Sequence, residues 1–393
     1  MQTINRIAPY LTIDADSHVG MDPNLWDRYL DQEFRKNPDR PRFEEIDGVK
    51  YFRAGRYWYP HLGRHPYLSP SGQPPGPIGG VDPHFRMKDF MNPEGIDRGL
   101  LMPSRIIGPS YMDSREMGNA MAQAYNNWLQ DFCKTYPDRY FGFGVINAGD
   151  PAAAIKEMHR CLFELGFPAI YINPQVIGNG PGEYHTLASE HYFPIYEEAS
   201  RLNVPLAIHA FSDPYVPGHE YNWPKGPGLW SDIIGFPMTG MQAFCNLVLG
   251  GVCELFPKLK LGIFEAGLGW VPMVIERIHE RKEKFVDSVR IRAPLLKLNP
   301  EEYVQRQLWL GFEPEDHFLP LFIEWTKAPN RTLFSADHPH LDYQPGQTRE
   351  FMERTDVSPE HIRMALRDNA LEFCRWDVTV APTDKMAEAV PAE

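Results

Sequence analysis

Five side chains of this sequence close short apolar runs and are of types that bind cations or move protons. Asp16 and His18 lie in DADSHV, His209 ends LAIH, Glu265 follows LGIF, and Asp337 follows TLFSA. In an extended chain, residues i and i+2 point to the same side, so Asp16 and His18 can aim together and chelate one cation. Two imidazoles and three carboxylates make a mixed N/O set that suits Zn, Mn or Fe and disfavours a soft thiolate site. His338 and His340 flank Pro339 just beyond Asp337. His338 is a further ligand candidate, and His340 joins Asp337 and Glu265 as a candidate for proton transfer. His219 in PGHEYNWP, Trp270 in FEAGLGWVP and Glu313 in GFEPED are candidates for touching a substrate. Each has a purely structural alternative. Asp16 can form a turn, His209 can be a core histidine bonded to backbone, Asp337 can cap the next turn, and Glu265 can pair with Arg277.

These residues need elements to bring them together. Eight short runs rich in β-branched or aromatic residues read as buried strands: Leu11–Asp16, Gly99–Pro103, Tyr140–Ile146, Pro168–Asn173, Val204–His209, Leu259–Glu265, Leu308–Gly311 and Thr332–Ala336. Helical patterns fall between them. Ser114–Tyr136 has apolar positions at a 3.6-residue period, with Ser114 or Asp113 as its cap. Asp150–Leu165 opens on Asp-Pro and stops at Gly166. Val271–Phe285 and Pro359–Phe373 follow the same pattern. Repeated strand–helix units predict an α/β fold, a single-domain (β/α)8 TIM barrel over 1–376. In that fold, the candidate residues would all sit at the mouth formed by the carboxyl ends of the strands. An excursion of about 38–90, rich in Pro, Gly and aromatic residues, follows strand 1. A second Pro-rich run spans Pro214–Pro237, and 377–393 reads as a flexible tail. No GxGxxG follows the first strand, which lowers the dinucleotide-binding version of the fold.

Composition narrows the partners. The 393 residues carry a net charge of −13 with Lys and Arg scattered, so no basic field exists to neutralise a nucleic acid. No apolar stretch is long enough for a membrane span, and the N-terminus lacks a signal-peptide layout. Five cysteines without a CxxC pair suggest buried thiols and a reducing, cytoplasmic setting. The aromatic-rich loops suit a small planar or hydrophobic organic substrate. They also provide surface for a homo-oligomer, a dimer or higher, or for a hetero-oligomer with a related subunit.

DADSHV, IHAFSDP, FEAGLGWVP and FSADHPH, in this order and with YNNWLQDFC…YPDRYFGFGVIN between them, resemble the amidohydrolase-related superfamily. The similar branch contains the aminocarboxymuconate-semialdehyde and resorcylate decarboxylases. The resemblance covers nearly the whole chain and implies metal ligands at Asp16, His18, His209 and Asp337. This chain departs from the family in three places. Asp16 stands where HxH or ExH is usual, Glu265 where an active-site histidine is usual, and Tyr171 and Asn173 end strand four where dinuclear members carry a carbamylated lysine. The resemblance implies a metal-dependent hydrolase using a metal-bound water, with one divalent ion or two. A nonoxidative decarboxylase on the same site is the first alternative. A dinuclear Fe/Mn oxygen-activating hydroxylase, or a partner subunit of one, is the other.

Overall fold

The computed structural model describes residues 7–376 apart from 21, 23, 47–48, 56, 61–79, 105–108, 178–183, 211–230 and 341–342. Eight parallel strands follow one another in chain order: β1 Ile13–Val19, β2 Arg98–Pro103, β3 Tyr140–Val145, β4 Ala169–Ile172, β5 Leu206–His209, β6 Leu261–Phe264, β7 Leu308–Phe312 and β8 Thr332–Phe334. Their apolar side chains are buried, as the continuous apolar runs require of strands covered by helices on the outside. All eight expected strands are present, and the architecture is the expected TIM barrel. β1 runs further than the sequence pattern indicates, so Asp16 and His18 lie within it. Its pairing with β2 shifts register between Asp14 and Ser17. Such an irregularity re-aims side chains at a barrel rim.

The barrel closes between β8 and β1 through few bonds. The Asp337 amide donates to the Asp16 carbonyl (3.1 Å), and the His18 amide donates to the His338 carbonyl (2.7 Å). The Ala336 amide donates to the side chain of Asp14 (2.9 Å). The first and last metal-ligand candidates therefore sit on the closing seam itself.

Helix α1 (Arg115–Cys133) covers the sheet between β2 and β3, and the Ser114 hydroxyl accepts from the Met117 amide as its cap. Helix α2 (Pro151–Phe163) is capped by Asp150 through the Ala153 amide. Helix α3 (Trp270–Lys284) follows β6. The helical pattern over Pro359–Phe373 is interrupted by a π-helical turn at Met364–Asp368, after which α4 (Asn369–Cys374) packs against the amino-terminal ends of the strands. There the Lys260 amine donates to the Glu372 carbonyl (2.7 Å), and Phe373 meets Trp309 (5.5 Å).

The described part of the excursion contains a three-stranded antiparallel sheet, Arg42–Ile46, Val49–Ala54 and Tyr57–Pro60. Phe52 is buried in it against Trp26 and Phe43. Residues 61–79, most of the second Pro-rich run and the tail lie outside the described residues. All five cysteines are free thiols, four of them buried. Among the described residues, no helix is long and apolar enough to cross a membrane.

Candidate active site

The strand ends bring six of the candidates to one place. His18 Nε2 lies 3.1 Å from His209 Nε2, 3.2 Å from Asp337 Oδ1, 3.3 Å from Asp16 Oδ1 and 3.5 Å from Glu265 Oε2. His209 Nε2 is 2.7 Å from Glu265 Oε2 and 3.6 Å from Asp16 Oδ2. Asp16, His18 and Asp337 are each only 1% exposed.

Most of these close approaches are not hydrogen bonds. Both Asp16 oxygens and Glu265 Oε2 are buried without a hydrogen-bond partner, even with imidazole nitrogens this near. Buried carboxylate oxygens left in that state are costly, so the atoms face a shared centre rather than one another. The spacing agrees. Donors about 2.0–2.2 Å from one cation lie roughly 2.9–3.6 Å apart, depending on coordination geometry. The donor set therefore fits a single divalent cation of the Zn, Mn or Fe class. An imidazole nitrogen offers one lone pair. The two overlapping groups, His18–Glu265–Asp337–His340 and Asp16–His18–His209, share His18 and so describe one centre.

The backbone is adapted to this arrangement. Glu265 (φ 50°), directly after β6, and Asp337 (φ 54°), a short step beyond β8, adopt left-handed conformations. The other non-glycine residues of this kind, Asn203, Lys327 and Arg375, end helices, where that conformation is ordinary. At a strand end it costs on the order of 1–3 kcal/mol and marks a site that the surrounding structure holds in place.

Electrostatics follows from burial. Burial works against a charge on His18, but the Asp16 and Glu265 carboxylates overcome it and raise its pKa to about 9. Burial also opposes ionisation of Glu265, yet His209 and His18 hold it well below the usual carboxylate range. Asp14, behind the ligands, is pushed up to about 7 by burial, against the Ser17 hydroxyl, the Ala336 amide and Arg86.

The two histidines of HPH separate. His340 is 30% exposed and lies tilted against the His18 ring (3.9 Å). Its Nδ1 lies 2.8 Å from Asp337 Oδ1 and its Nε2 lies 3.0 Å from Ser104 Oγ. His338 is buried flat against Phe90 (4.0 Å) and edge-on to Tyr343 (5.0 Å), apart from the converging atoms. Burial, with Arg86, His340 and His18 nearby, holds its pKa well below the usual histidine value. Trp270 is core: its indole donates to the Ala266 carbonyl (2.9 Å) and packs on Phe244. Glu313 is half-buried at the end of β7 and is not among the converging groups. His219 lies outside the described residues. Among the described residues, Arg277 pairs with Glu280 (2.6 Å) rather than with Glu265, which lies 2.7 Å from His209. The sequence pattern did not point to Ser104, Asp14 or Arg86. Ser104 directly follows β2, a strand-end position that could have marked it, whereas Arg86 carries no such signal.

Comparison with known proteins bears on the family and the fold. A family model described as Amidohydrolase matches residues 99–376. A 2-amino-3-carboxymuconate-6-semialdehyde decarboxylase of Dictyostelium discoideum is 26% identical over 75% of this chain and 77% of its own length. A gamma-resorcylate decarboxylase of Rhodococcus jostii is 29% identical over 75% of this chain and 88% of its own. Among solved structures, an amidohydrolase from Mycobacterium avium subsp. paratuberculosis superposes with a TM-score of 0.74 at 18% identity, covering 94% of this chain and 100% of its own. A dihydroxybenzoic acid decarboxylase from Polaromonas, with bound manganese and 2-nitroresorcinol, superposes with a TM-score of 0.67 at 19% identity, covering 93% and 97%.

Proposed function

Because the chain belongs to the amidohydrolase family, in the branch that resembles aminocarboxymuconate-semialdehyde and resorcylate decarboxylases, we propose that it is a metal-dependent nonoxidative decarboxylase of a small aromatic or similarly planar hydroxy acid. The observation that carries this reading is the convergence of Asp16, His18, His209, Glu265 and Asp337 on one centre with His340 beside Asp337. A divalent cation bound there would hold the substrate's carboxylate and neighbouring hydroxyl and draw electrons from the ring. Asp16, His18, His209 and Glu265 would serve as its ligands, with Asp337 completing the set. Asp337, hydrogen-bonded to His340, carries the proton that the ring carbon takes up. The bond to the carboxylate then breaks, its electron pair returns to the ring, and CO2 leaves. His340 touches both Asp337 and Ser104 and is partly exposed, so it returns a proton from solvent to Asp337.

Hydrolysis uses the same residues, with the proton taken from water, and was the first expectation from the sequence. The names of the relatives favour decarboxylation instead. The test is to load the protein with Mn²⁺, incubate it with a panel of hydroxybenzoates in D2O, and follow CO2 release and deuterium at the vacated carbon. Deuterated product with one metal equivalent per chain is expected. No CO2 across the panel, with turnover of amides or esters, would replace this reading by hydrolysis. Two equivalents including Fe would point to the dinuclear alternative.

A further inference from the structure

Arg86 is fully buried although it forms no ion pair with a carboxylate among the described residues. Its Nη1 donates to the His18 carbonyl (2.7 Å), and its Nη2 donates to the Ser17 hydroxyl and, at 3.5 Å, toward the His338 carbonyl. Its Nε is buried without a partner, and the guanidinium lies 5.3 Å from the centre of the Phe90 ring. Removing a guanidinium from water costs several kcal/mol, and neutral acceptors return only part of that. An apolar side chain of similar volume would serve stability better. What the guanidinium provides is a planar fork that fixes several acceptors at once.

Those acceptors lie where the barrel closes. His18 on β1 and His338 just beyond β8 flank the seam, and the His338 carbonyl also receives the His18 amide. On the same seam, Asp14 accepts from the amides of Asp16 (3.3 Å) and Ala336 (2.9 Å), and the Ser17 hydroxyl lies against its carboxylate. Arg86, Ser17 and Asp14 thus fix the backbone on either side of Asp16, His18 and Asp337 without pointing a side chain at the converging atoms. The guanidinium is held by the short helix Pro83–Arg86, capped by Asp82 through the amides of His84 and Phe85. That helix is docked where the Gly20 amide meets the Gly80 carbonyl (2.9 Å). A Cβ on Gly80 would fall 2.6 Å from Gly20 N, so only glycine permits this approach.

We propose that Arg86 is a positioning residue: its buried guanidinium locks the β1/β8 seam and thereby sets the spacing of the metal ligands Asp16, His18 and Asp337. The inference rests on the metal-site reading above, but not on the reaction catalysed. It is tested by titrating Mn²⁺ into metal-stripped wild-type, R86K and R331K proteins by calorimetry, alongside thermal unfolding. Arg331 is a mostly buried arginine at the opposite end of the barrel and serves as the control. Lysine keeps the charge and loses the fork, so R86K should bind Mn²⁺ at least 10-fold more weakly, while R331K lowers Tm and binds as wild type does. Wild-type affinity in R86K, or equal weakening in both variants, would overturn the proposal. If R86K does not fold, S17A removes one of the acceptors instead, and an unchanged affinity there overturns it equally. A wild-type chain that binds no Mn²⁺ overturns this inference and the proposed function together. Weakened binding by R86K with no CO2 from any substrate leaves the positioning role standing and removes only the reaction.

Discussion

The two ends of the barrel treat buried charge in opposite ways. At the amino-terminal end of the strands, Arg331 pairs with Glu372 (3.1 Å), lies over the Trp309 ring (4.2 Å) and donates to the Gln305 carbonyl (3.0 Å). At the carboxyl end, three carboxylates and two imidazoles crowd together with both Asp16 oxygens unpartnered and two residues in left-handed backbone conformations. The first arrangement is complete by itself. The second would be completed by a cation at its centre, as the proposed function requires. Charge used for stability is paired within the chain, whereas charge used for chemistry is left open to a ligand.

This contrast breaks most visibly at Asp337. D337N removes the group assigned to proton delivery and one ligand oxygen, so kcat should fall by about 10³-fold. A kcat within 10-fold of wild type would remove Asp337 from the mechanism.

The next effect concerns pH in the metal-free chain. The pKa of His18 is raised to about 9 in the folded state, from about 6.5 when unfolded. A raised histidine contributes stability that is fully present below pH 6.5 and is lost as pH climbs through about 9, on the order of 3 kcal/mol here. Protonated His18 is, in effect, the stand-in for the cation. The stability of the EDTA-treated protein should therefore fall between pH 6.5 and 9, while the Mn²⁺-loaded protein changes much less. Parallel pH profiles for the two forms would show that His18 does not face the cation centre.

At the opposite end the effect is smaller and of another kind. R331M loses the pair with Glu372 and the contact over Trp309, which should lower stability by about 1–3 kcal/mol. Mn²⁺ affinity and kcat should not change. A metal-affinity loss in R331M would mean that the two ends are coupled, and the division drawn above would fail.

Much of the fold was legible because the signals are local. Continuous apolar runs mark strands buried on both faces, and Ser114 and Asp150 mark helix starts through hydrogen bonds made within a turn. Asp16, His18, His209, Glu265 and Asp337 were legible for the same reason, since each stands at or beside the end of a strand. His338 and His340 were not separable, because both flank one proline and differ only in what they meet. Phe90 lies 248 residues from His338, and Ser104 lies 236 from His340. The three-stranded sheet over 42–60 was hidden by a composition that shows aromatics but no clean alternation.

The sequence by itself determined the barrel, the order of its strands and the donor types gathered at its mouth. These depend on hydrophobic period and residue chemistry, both written along the chain. Only the tertiary structure decided which atoms converge, which histidine faces Asp337, that Trp270 is core, and that Arg86 holds the seam. Two of the acceptors of Arg86 are backbone carbonyls, which every residue possesses, and the third is a serine hydroxyl, so residue type alone could not announce its partners. Those partners are set by how β8 returns to β1, a closure that joins residues more than 300 positions apart.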